Sequence, residues 1–384
     1  MDGHGTHTAS TVAGRQVPGV AALGGFAKGT ASGGAPMARL AIYKVCWAKP
    51  NVTKASGNIC PFEDMLKGLD DAIGDGVHVI SISIGVDSPL QYEDDVLAIG
   101  ALNAAKHNIV VVCSAGNRGP TPATLSNTAP WLTTVGASSL DRAFLAPIKL
   151  GNGLKIMGQT VSDNKLGNQM YPLIKAEDAV LRHVLQNETG GSGTRVGKGI
   201  EVKRAGAQTT NNLGEEITDD SGNAATPFQY GAGHFQPIKA ADPGLIYDAS
   251  FHDYLLYLCS VGQTKLLDRT FKCPEHPPSA VNLNYPSFAI PNLNGTFTIW
   301  RTVTNVGRSK STYLFHSKPP PGVHVKASPN ILHFNRLGQK KSFKITVSPA
   351  DFDSTVPRSN YGFGWYTWTD GFYHVRSPMA VYLP

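Results

Sequence analysis

Apolar and polar positions alternate along the first 140 residues in blocks that predict strands and helices in turn. The predicted strands are apolar runs, namely Ala38–Val45, Val77–Ile84, Ile109–Ser114 and Leu132–Ala137. Between them, Glu63–Ile73 and Asp94–His107 carry apolar residues at helical spacing. Strands that alternate with helices and are apolar throughout indicate an α/β fold with a parallel sheet. Ligands bind such sheets at the carboxyl ends of the strands.

The spacing of apolar residues along the chain changes in the last hundred residues. From Asn282 to Pro384, short β-rich runs separated by turn residues predict a small antiparallel β-sandwich. Its expected strands are Thr296–Val303, Thr312–Ser317, His324–Ala327, Lys341–Val347 and Tyr361–Trp368. Between the two patterned regions, Leu150–Phe228 shows no clear period and is expected to be irregular. The predicted domains are therefore residues 1–160, 161–223, 224–281 and 282–384.

Composition and charge narrow the class of protein. The chain is 41% hydrophobic, and no apolar stretch approaches the roughly 20 residues of a membrane helix, so we expect no membrane partner. The net charge of +6 looks thinly spread, with short basic runs only at Lys198–Arg204 and Lys340–Lys344. We therefore expect no nucleic-acid partner. The sequence does not fix the oligomeric state.

Five cysteines bear on redox chemistry and metals. Cys46 and Cys60 form one close pair, and Cys259 and Cys273 form another. The spacings lack the paired Cys-x-x-Cys or His-x-x-x-His ligands of a zinc site, so two disulfides are favoured over metal binding. No metal or other cofactor is predicted. Cys113 lies in an apolar run and is expected to be an inert core thiol.

Disulfides indicate an oxidising compartment, and three Asn-x-Thr sequons agree with secretion. They lie at Asn51, Asn187 and Asn294 and are predicted glycosylation sites. No basic and apolar leader follows Met1, so a signal peptide is expected in the intact parent protein only.

Three motifs place polar residues where chemistry is expected. His4 stands between Gly3 and Gly5 at a predicted helix start, the setting of a general base, although a capping or surface histidine is the alternative. Ser83-Ile84-Gly85 closes the second predicted strand, and Ser114-Ala115-Gly116-Asn117 closes the third. Two such strand ends suit a peptide-binding cleft.

These motifs occur in an order that resembles the plant branch of the subtilases, which are subtilisin-like serine endopeptidases. The matching strings are His4–Ala9, Gly29–Pro36, Ser81–Gly85 and Ser114–Pro120. The resemblance implies that His4 is the catalytic base and that Asn117 donates to the oxyanion, with a turn asparagine as the alternative. It also implies that Ser83, Ile84 and Gly85, with Ser114, Ala115 and Gly116, flank the substrate residue before the scissile bond. The partner is then a peptide or protein substrate.

The resemblance extends to the rest of the chain. Tyr230–Phe235 and Ala240–Asp248 are similar to the segment that follows the catalytic domain in this family. Gly197–Gly206 is similar to part of the protease-associated insert, and Arg301–Gly307 to the fibronectin-III-like domain. The implied fold is an incomplete parallel-sheet subtilisin-like core followed by an all-β sandwich. The implied location of the intact parent is extracellular, in the apoplast or cell wall.

Two catalytic groups of the family have no counterpart. The family's aspartate precedes the histidine motif, and Asp2 is too close in sequence to His4 to replace it. No Gly-Thr-Ser-Met-Ser string, which carries the serine, occurs anywhere. We therefore expect that this chain belongs to a family of serine endopeptidases but is itself inactive. The alternatives are a non-catalytic peptide-binding protein and an incomplete gene model. Loss of the serine helix is expected to expose apolar faces of Ala38–Val45 and Val77–Ile84.

Overall fold

The computed structural model describes most of the chain. The described residues are 3–22, 25–48, 58–86, 89–119, 121, 123–140, 142–161, 170–172, 207–208, 216–219, 221–351 and 360–384. They belong to two compact units. The first comprises Met1–Tyr43, Ala48–Asn58 and Ser139–Arg195, and the second comprises Lys44–Trp47, Ile59–Ser138 and Val196–Pro384.

The described residues of the first unit include one helix and two antiparallel strand pairs. Helix α1 (His4–Ala13) is followed by the antiparallel strands β1 (Val17–Ala22) and β2 (Phe26–Ala31). A second antiparallel pair is formed by β8 (Leu145–Lys149) and β9 (Lys155–Gln159). The prediction that Leu150 onward is irregular is therefore wrong for β9. Most side chains of this hairpin are exposed, so backbone pairing forms it without a buried face that the sequence could reveal.

The second unit contains a parallel sheet. Strands β5 (Val79–Ile82), β6 (Val110–Ser114) and β7 (Thr133–Val135) lie side by side in that order. The predicted helices are present as α2 (Phe62–Gly74) and α3 (Val96–Lys106). The carboxylate of Asp95 caps α3 by accepting from the backbone N–H groups of Leu97 and Ala98. The predicted α/β class is confirmed.

The segment Ala38–Val45 is a correction. It forms no strand, and the side chains of Leu40 and Ile42 are 47% and 70% exposed. A buried parallel strand is stabilised by hydrogen-bonded neighbours and by covered faces. No strand of the described chain pairs with this segment. The segment therefore forms no strand, although its apolar pattern is typical of one.

The two faces of the parallel sheet differ. Ile80 and Ile82 point to the face that packs against buried residues of α2 and α3. On the other face Val79 is 57% exposed and Val110 is 44% exposed. Within the described residues this second face is open, as expected for Val77–Ile84.

The β-sandwich has two sheets. One has the strand order β12-β14-β18-β16 and the other has the order β13-β20-β19-β15-β17. Its strands are β12 (Leu245–Ile246), β13 (Phe288–Ile290), β14 (Phe297–Asn305), β15 (Ser311–Lys318), β16 (Val323–Ser328), β17 (Ile331–Phe334), β18 (Lys340–Pro349), β19 (Asn360–Thr369) and β20 (His374–Leu383). The five predicted strands are present, whereas β12, β13, β17 and β20 were not predicted. Large side chains such as Trp368, Tyr366 and Phe343 fill the space between the sheets.

The remaining short elements lie either before α2 or between β7 and β13 in sequence. They are β3 (Trp47–Ala48), β4 (Asn58–Ile59), β10 (Ala207–Gln208), α4 (Pro227–Tyr230), β11 (His234–Phe235), α5 (Pro237–Ala241), α6 (Phe251–Ser260) and two 3-10 turns, Thr264–Leu266 and Ala280–Asn282. Helix α6 buries Tyr254, Leu255 and Leu258 in the same core as α3 and β6.

Candidate peptide-binding site

His4 is the first residue of α1, as the sequence predicts. Gly3 precedes it with φ +83°, a left-handed conformation that favours glycine. His4 is exposed, and a Cβ built on Gly3 or Gly5 would meet no atom within 4 Å. The two glycines therefore leave room on either side of the His4 ring at the helix start, where a base can approach a substrate.

The far end of α1 is held by the predicted Gly29–Pro36 motif. The backbone N–H groups of Gly33 and Gly34 donate to the carbonyls of Gly14 and Thr11, at 2.9 Å each. A Cβ on Gly33 would lie 2.4 Å from the backbone nitrogen of Gly14. Glycine is needed there because two backbones touch, so this motif positions the histidine helix.

In the second unit, one asparagine joins the two predicted substrate-binding strand ends. The amide nitrogen of Asn127 donates to the carbonyl oxygens of Ile84, at 2.9 Å, and Ser114, at 2.8 Å. Asn127 is 4% exposed and has φ +58°. Its own carbonyl accepts from the hydroxyl of Thr134 on β7. Because one buried amide group donates to a carbonyl at each strand end, it fixes the distance between the ends of β5 and β6.

Ser126 adds two further hydrogen bonds to the same two strand ends. Its hydroxyl donates to the carbonyl of Val86 at 2.7 Å, and its backbone N–H donates to the carbonyl of Ala115 at 3.0 Å. A Cβ on Gly85 or Gly116 would approach the Ser126 hydroxyl to 3.0 or 2.9 Å. Both motif glycines are therefore required by the closeness of Ser126, and Gly116 additionally has φ +87°.

The hydrogen bonds of Ser126 and Asn127 leave one edge of β5 without a partner strand among the described residues. Alternate residues of an extended chain direct their main-chain groups to opposite sides. Because the Ile84 carbonyl points to Asn127, Ser83 and Gly85 present theirs to the other side. Among the described strands, β5 has only β6 as a neighbour, so an extended peptide could pair along its free edge.

Asn117 follows directly after this arrangement. It is exposed in the loop beyond β6, and no described residue hydrogen-bonds to its side-chain amide. The neighbouring Ala115 is 4% exposed, and its backbone N–H donates to the carbonyl of Val135 at 2.9 Å. An amide that projects from a fixed strand end is suited to donate to an oxyanion. His4 belongs to the first unit, whereas Asn117 and the two strand ends belong to the second.

Ser126 and Asn127 were missed by the sequence analysis. They lie in the string Ser-Asn-Thr-Ala-Pro, which begins nine residues after the last residue of the Ser-Ala-Gly-Asn motif. The available signal was a serine and an asparagine in a turn, residues that adopt left-handed conformations and bond to backbone. That signal does not identify carbonyls 13 and 43 residues away as partners.

Comparison with known proteins decides the family. The family described as "Subtilase family" matches residues 1–277, which is more than half of the chain. The chain belongs to the subtilase family. A fibronectin type-III domain matches residues 282–381 of this subtilase. The predicted recognition and the class of enzyme, a subtilisin-like serine protease family hydrolase, are confirmed.

Plant proteins are among the relatives of this subtilase. Subtilisin-like protease SBT5.6 of Arabidopsis thaliana is 40% identical over 560 residues, covering 100% of this chain and 70% of that protein. Subtilisin-like protease SBT5.5 of the same plant is 38% identical over 563 residues, with 100% and 70% covered. Both aligned spans exceed the 384 residues of this subtilase, so internal segments of the relatives have no counterpart here.

One solved structure is similar to part of the subtilase chain. A FixG-related protein from Vibrio parahaemolyticus is 12% identical, with a TM-score of 0.20, and covers 23% of this chain and 78% of its own. At that score the likeness carries no argument.

The structure contains the two disulfides that the cysteine spacing indicated, Cys46–Cys60 and Cys259–Cys273. Cys113 on β6 is a free thiol, 1% exposed. Burial raises the pKa of Cys113 to about 12, and the carboxylate of Asp95 adds to that effect. The thiol therefore stays protonated and unreactive at physiological pH.

The remaining predicted sites are placed as follows. Asn294 is exposed in the turn between β13 and β14, whereas Asn51 and Asn187 lie outside the described residues. Within the described part, no three of the side chains of His, Cys, Asp and Glu cluster as metal ligands. No helix in that part is long and apolar enough to cross a membrane.

Proposed function

We propose that this subtilase binds an extended peptide at the free edge of β5 but does not cleave it in the form given. The observation that carries the proposal is the pair of strand ends held together by Asn127. Ser83 and Gly85 offer main-chain groups to a peptide strand at the free edge, while Asn127 fixes the Ser114 strand end on the opposite side of β5. Protein or peptide substrates are what the protease family implies.

The resemblance to the family supports two chemical roles, a base in the first unit and an oxyanion donor in the second, without a nucleophile. His4 would accept a proton from an attacking hydroxyl, and Asn117 would donate to the oxygen that becomes negative. No Gly-Thr-Ser-Met-Ser string supplies that hydroxyl. In subtilisin itself, loss of the serine alone lowers kcat on the order of 10⁶-fold. Peptide binding without turnover is the expected behaviour.

A second candidate is an endopeptidase whose coding sequence is incomplete here. It is supported by the alignments, in which a relative spans 560 residues against 384 in this chain, so that internal blocks are missing. The sequence between Lys203 and Phe228 is where the serine helix is expected. An in-frame exon that encodes Gly-Thr-Ser in the genomic sequence would favour this candidate over a binding protein.

The cellular setting and the domains are part of the proposal. Two disulfides support secretion to an oxidising compartment, outside the cell. Exposed Asn294 is the proposed glycosylation site that the structure describes. We assign residues 1–160 to a partial catalytic domain, 161–223 to the remnant of an insert, 224–281 to a connecting segment and 282–384 to the fibronectin-like sandwich.

The test combines an activity probe with a binding assay. The full chain is incubated with a fluorophosphonate probe and with casein, beside an intact plant subtilase. We expect no labelling and no cleavage by this chain. Binding of fluorescein-labelled casein is then followed by anisotropy for Ser83→Arg, which blocks the free edge of β5, and for Asn103→Arg, on the exposed side of α3. Ser83→Arg is expected to weaken binding at least about tenfold, and Asn103→Arg to leave it unchanged.

Specific fluorophosphonate labelling would show that a serine in this chain is a nucleophile, and the proposal of binding without cleavage would be wrong. Equal binding by the two arginine variants would place the peptide elsewhere.

A further inference from the structure

The positive charge of this subtilase is concentrated in its C-terminal domain. Residues 282–381 contain 11 lysines and arginines against 3 aspartates and glutamates, whereas the whole chain contains 34 against 28. The rest of the chain is therefore slightly acidic. The thinly spread charge expected from the short basic runs is wrong at the scale of domains, and it directs attention to the surface of the sandwich.

Three adjacent antiparallel strands, β14, β18 and β16, present part of this charge on one surface. Phe343, Ile345 and Val347 of β18 point into the core, so the alternate residues point outward. In register, Trp300 is opposite Lys344, and Thr346 is opposite Lys326. We call this surface the lysine face; its residues are Thr298, Trp300, Thr302, His324, Lys326, Ser328, Lys340, Ser342, Lys344, Thr346 and Ser348.

The lysines of the lysine face form a stripe. Lys326 and Lys344 are diagonal neighbours on adjacent strands, so their Cα atoms lie roughly 7–8 Å apart. Lys340 is four residues from Lys344, or roughly 13 Å along β18. Lys340 forms an ion pair with Asp248 at 3.4 Å. Neither Lys326 nor Lys344 forms an ion pair with any described residue, and none of the residues of the face is acidic.

A single aromatic side chain lies beside this stripe. Trp300 is 53% exposed and is the cross-strand neighbour of Lys344. The flat, electron-rich face of an exposed indole packs against C–H groups of a ligand. Around it, serine and threonine hydroxyls on the lysine face can donate or accept hydrogen bonds. One aromatic platform, paired cations and many hydroxyls together suit a hydrophilic, negatively charged chain of rings.

Other classes of partner fit this surface less well. Protein interfaces are depleted of lysine at their centre and have an apolar core, whereas the lysine face has one large apolar residue. Single-stranded nucleic acid is bound by several stacking aromatics and by arginines, and the face has one aromatic residue and no arginine.

We propose that the lysine face binds an acidic polysaccharide, a polymer of uronic acids. Its carboxylates pair with Lys344 and Lys326, and one sugar ring stacks on Trp300. A cavity of about 340 Å³ opens beside Trp300 at the Lys340 end, and Asp248 and Asp253 line it. Lys340 and Arg301 line the same cavity, so it carries no excess of positive charge, and the polymer runs from Trp300 toward Lys326 and His324 instead. The site would hold this subtilase on an acidic matrix, independently of the peptide-binding edge of β5.

The test measures binding of the full chain to polygalacturonate by affinity gel electrophoresis. Lys326→Glu combined with Lys344→Glu is expected to raise the Kd at least about tenfold, and Trp300→Ala about threefold or more. The matched control is Lys310→Glu combined with Lys318→Glu, the same charge change at two exposed lysines outside the face. This control is expected to change the Kd less than about threefold. Circular dichroism melts confirm that each variant is folded.

Two further ligands show whether binding depends on the carboxylates of the polymer or reflects affinity for nucleic acid. Fully methyl-esterified polygalacturonate keeps the sugar backbone but lacks the carboxylates and is expected to bind at least about tenfold more weakly. Single-stranded DNA is the competitor for nucleic-acid binding. Equal loss of binding in the lysine-face and control variants, equal binding of the esterified polymer, or tighter binding of DNA would each overturn the proposal.

Discussion

At the scale of residues, Asn127 has the largest structural consequence for the candidate site. It is a buried asparagine in a left-handed conformation whose amide donates to a carbonyl at the end of β5 and to one at the end of β6. Asn108 has nearly the same φ, +59°, but its side chain is exposed at the end of α3. The two asparagines therefore separate the effect of backbone conformation from that of the two hydrogen bonds.

Replacement of each asparagine by glycine tests this difference. Glycine keeps the left-handed conformation, so Asn127→Gly removes the bonds to Ile84 and Ser114 without strain. We expect its free energy of unfolding to fall by about 1–3 kcal/mol, because two buried carbonyls lose their donor. Asn108→Gly is expected to change it by less than about 0.5 kcal/mol. Urea denaturation measures both, and equal effects would contradict the role given to Asn127.

Cys113 gives a second prediction at this scale. Burial raises its pKa to about 12, so the thiol is protonated in the folded protein throughout the neutral range. We expect no reaction with Ellman's reagent between pH 6 and 9 in native buffer, and one thiol per chain in denaturant, because the other four cysteines form disulfides. Rapid native labelling that rises with pH near the ordinary thiol value would show that β6 is accessible.

At the scale of elements, the two disulfides close loops of equal length but stabilise different structures. Both have a sequence separation of 14. Cys259 lies on α6, which buries Tyr254 and Leu258 in the core shared with α3 and β6. Cys46 and Cys60 instead flank a small two-stranded pair in which Trp47 and Ile59 are each 46% exposed.

Paired serine substitutions follow from this contrast. Loops of this length stabilise a folded state by about 3 kcal/mol when the closed segment folds with the core. We expect that loss for Cys259→Ser with Cys273→Ser, and less than about half of it for Cys46→Ser with Cys60→Ser, because the paired residues Trp47 and Ile59 are largely exposed. Thermal unfolding monitored by circular dichroism compares the pairs; the reverse order would mean that the hairpin is part of the cooperative core.

At the scale of the whole molecule, one face of the parallel sheet is open among the described residues, whereas the sandwich is well packed. Parallel sheets are normally covered on both faces, yet Val79 and Val110 are 57% and 44% exposed. The sandwich has its own core of aromatic and aliphatic side chains, including Trp368 and Tyr313, both fully buried. Stability is therefore expected to be unequal along the chain, with the parallel sheet the weaker part.

Dye binding checks this expectation. The open face should bind 1-anilinonaphthalene-8-sulfonate, as exposed apolar patches do. Val79→Lys combined with Val110→Lys is expected to lower the dye fluorescence at least about twofold. Leu337→Lys, at a position 56% exposed between β17 and β18, is the control and should leave it unchanged. Unchanged fluorescence in the double variant would locate the apolar surface elsewhere.

The sequence by itself determined the family, the order of its motifs and most elements. Helices α2 and α3 and the five predicted strands of the sandwich could be predicted because their apolar periods are local and long. The glycines at positions 85 and 116 were recognised as motif residues, but their physical reason, the closeness of Ser126, was not visible.

Tertiary structure decided which segments pair with one another and which side chains become buried. Ala38–Val45 has the composition of a buried strand, but no described strand pairs with it, and Leu40 and Ile42 remain exposed. Asn127 has the character of a turn residue, and only folding brings it between the carbonyls of Ile84 and Ser114. The lysine face depends on the register of three strands from separate parts of the sandwich. Local periodicity reports what a segment tends to bury or expose, whereas partners distant in sequence are set by chain topology.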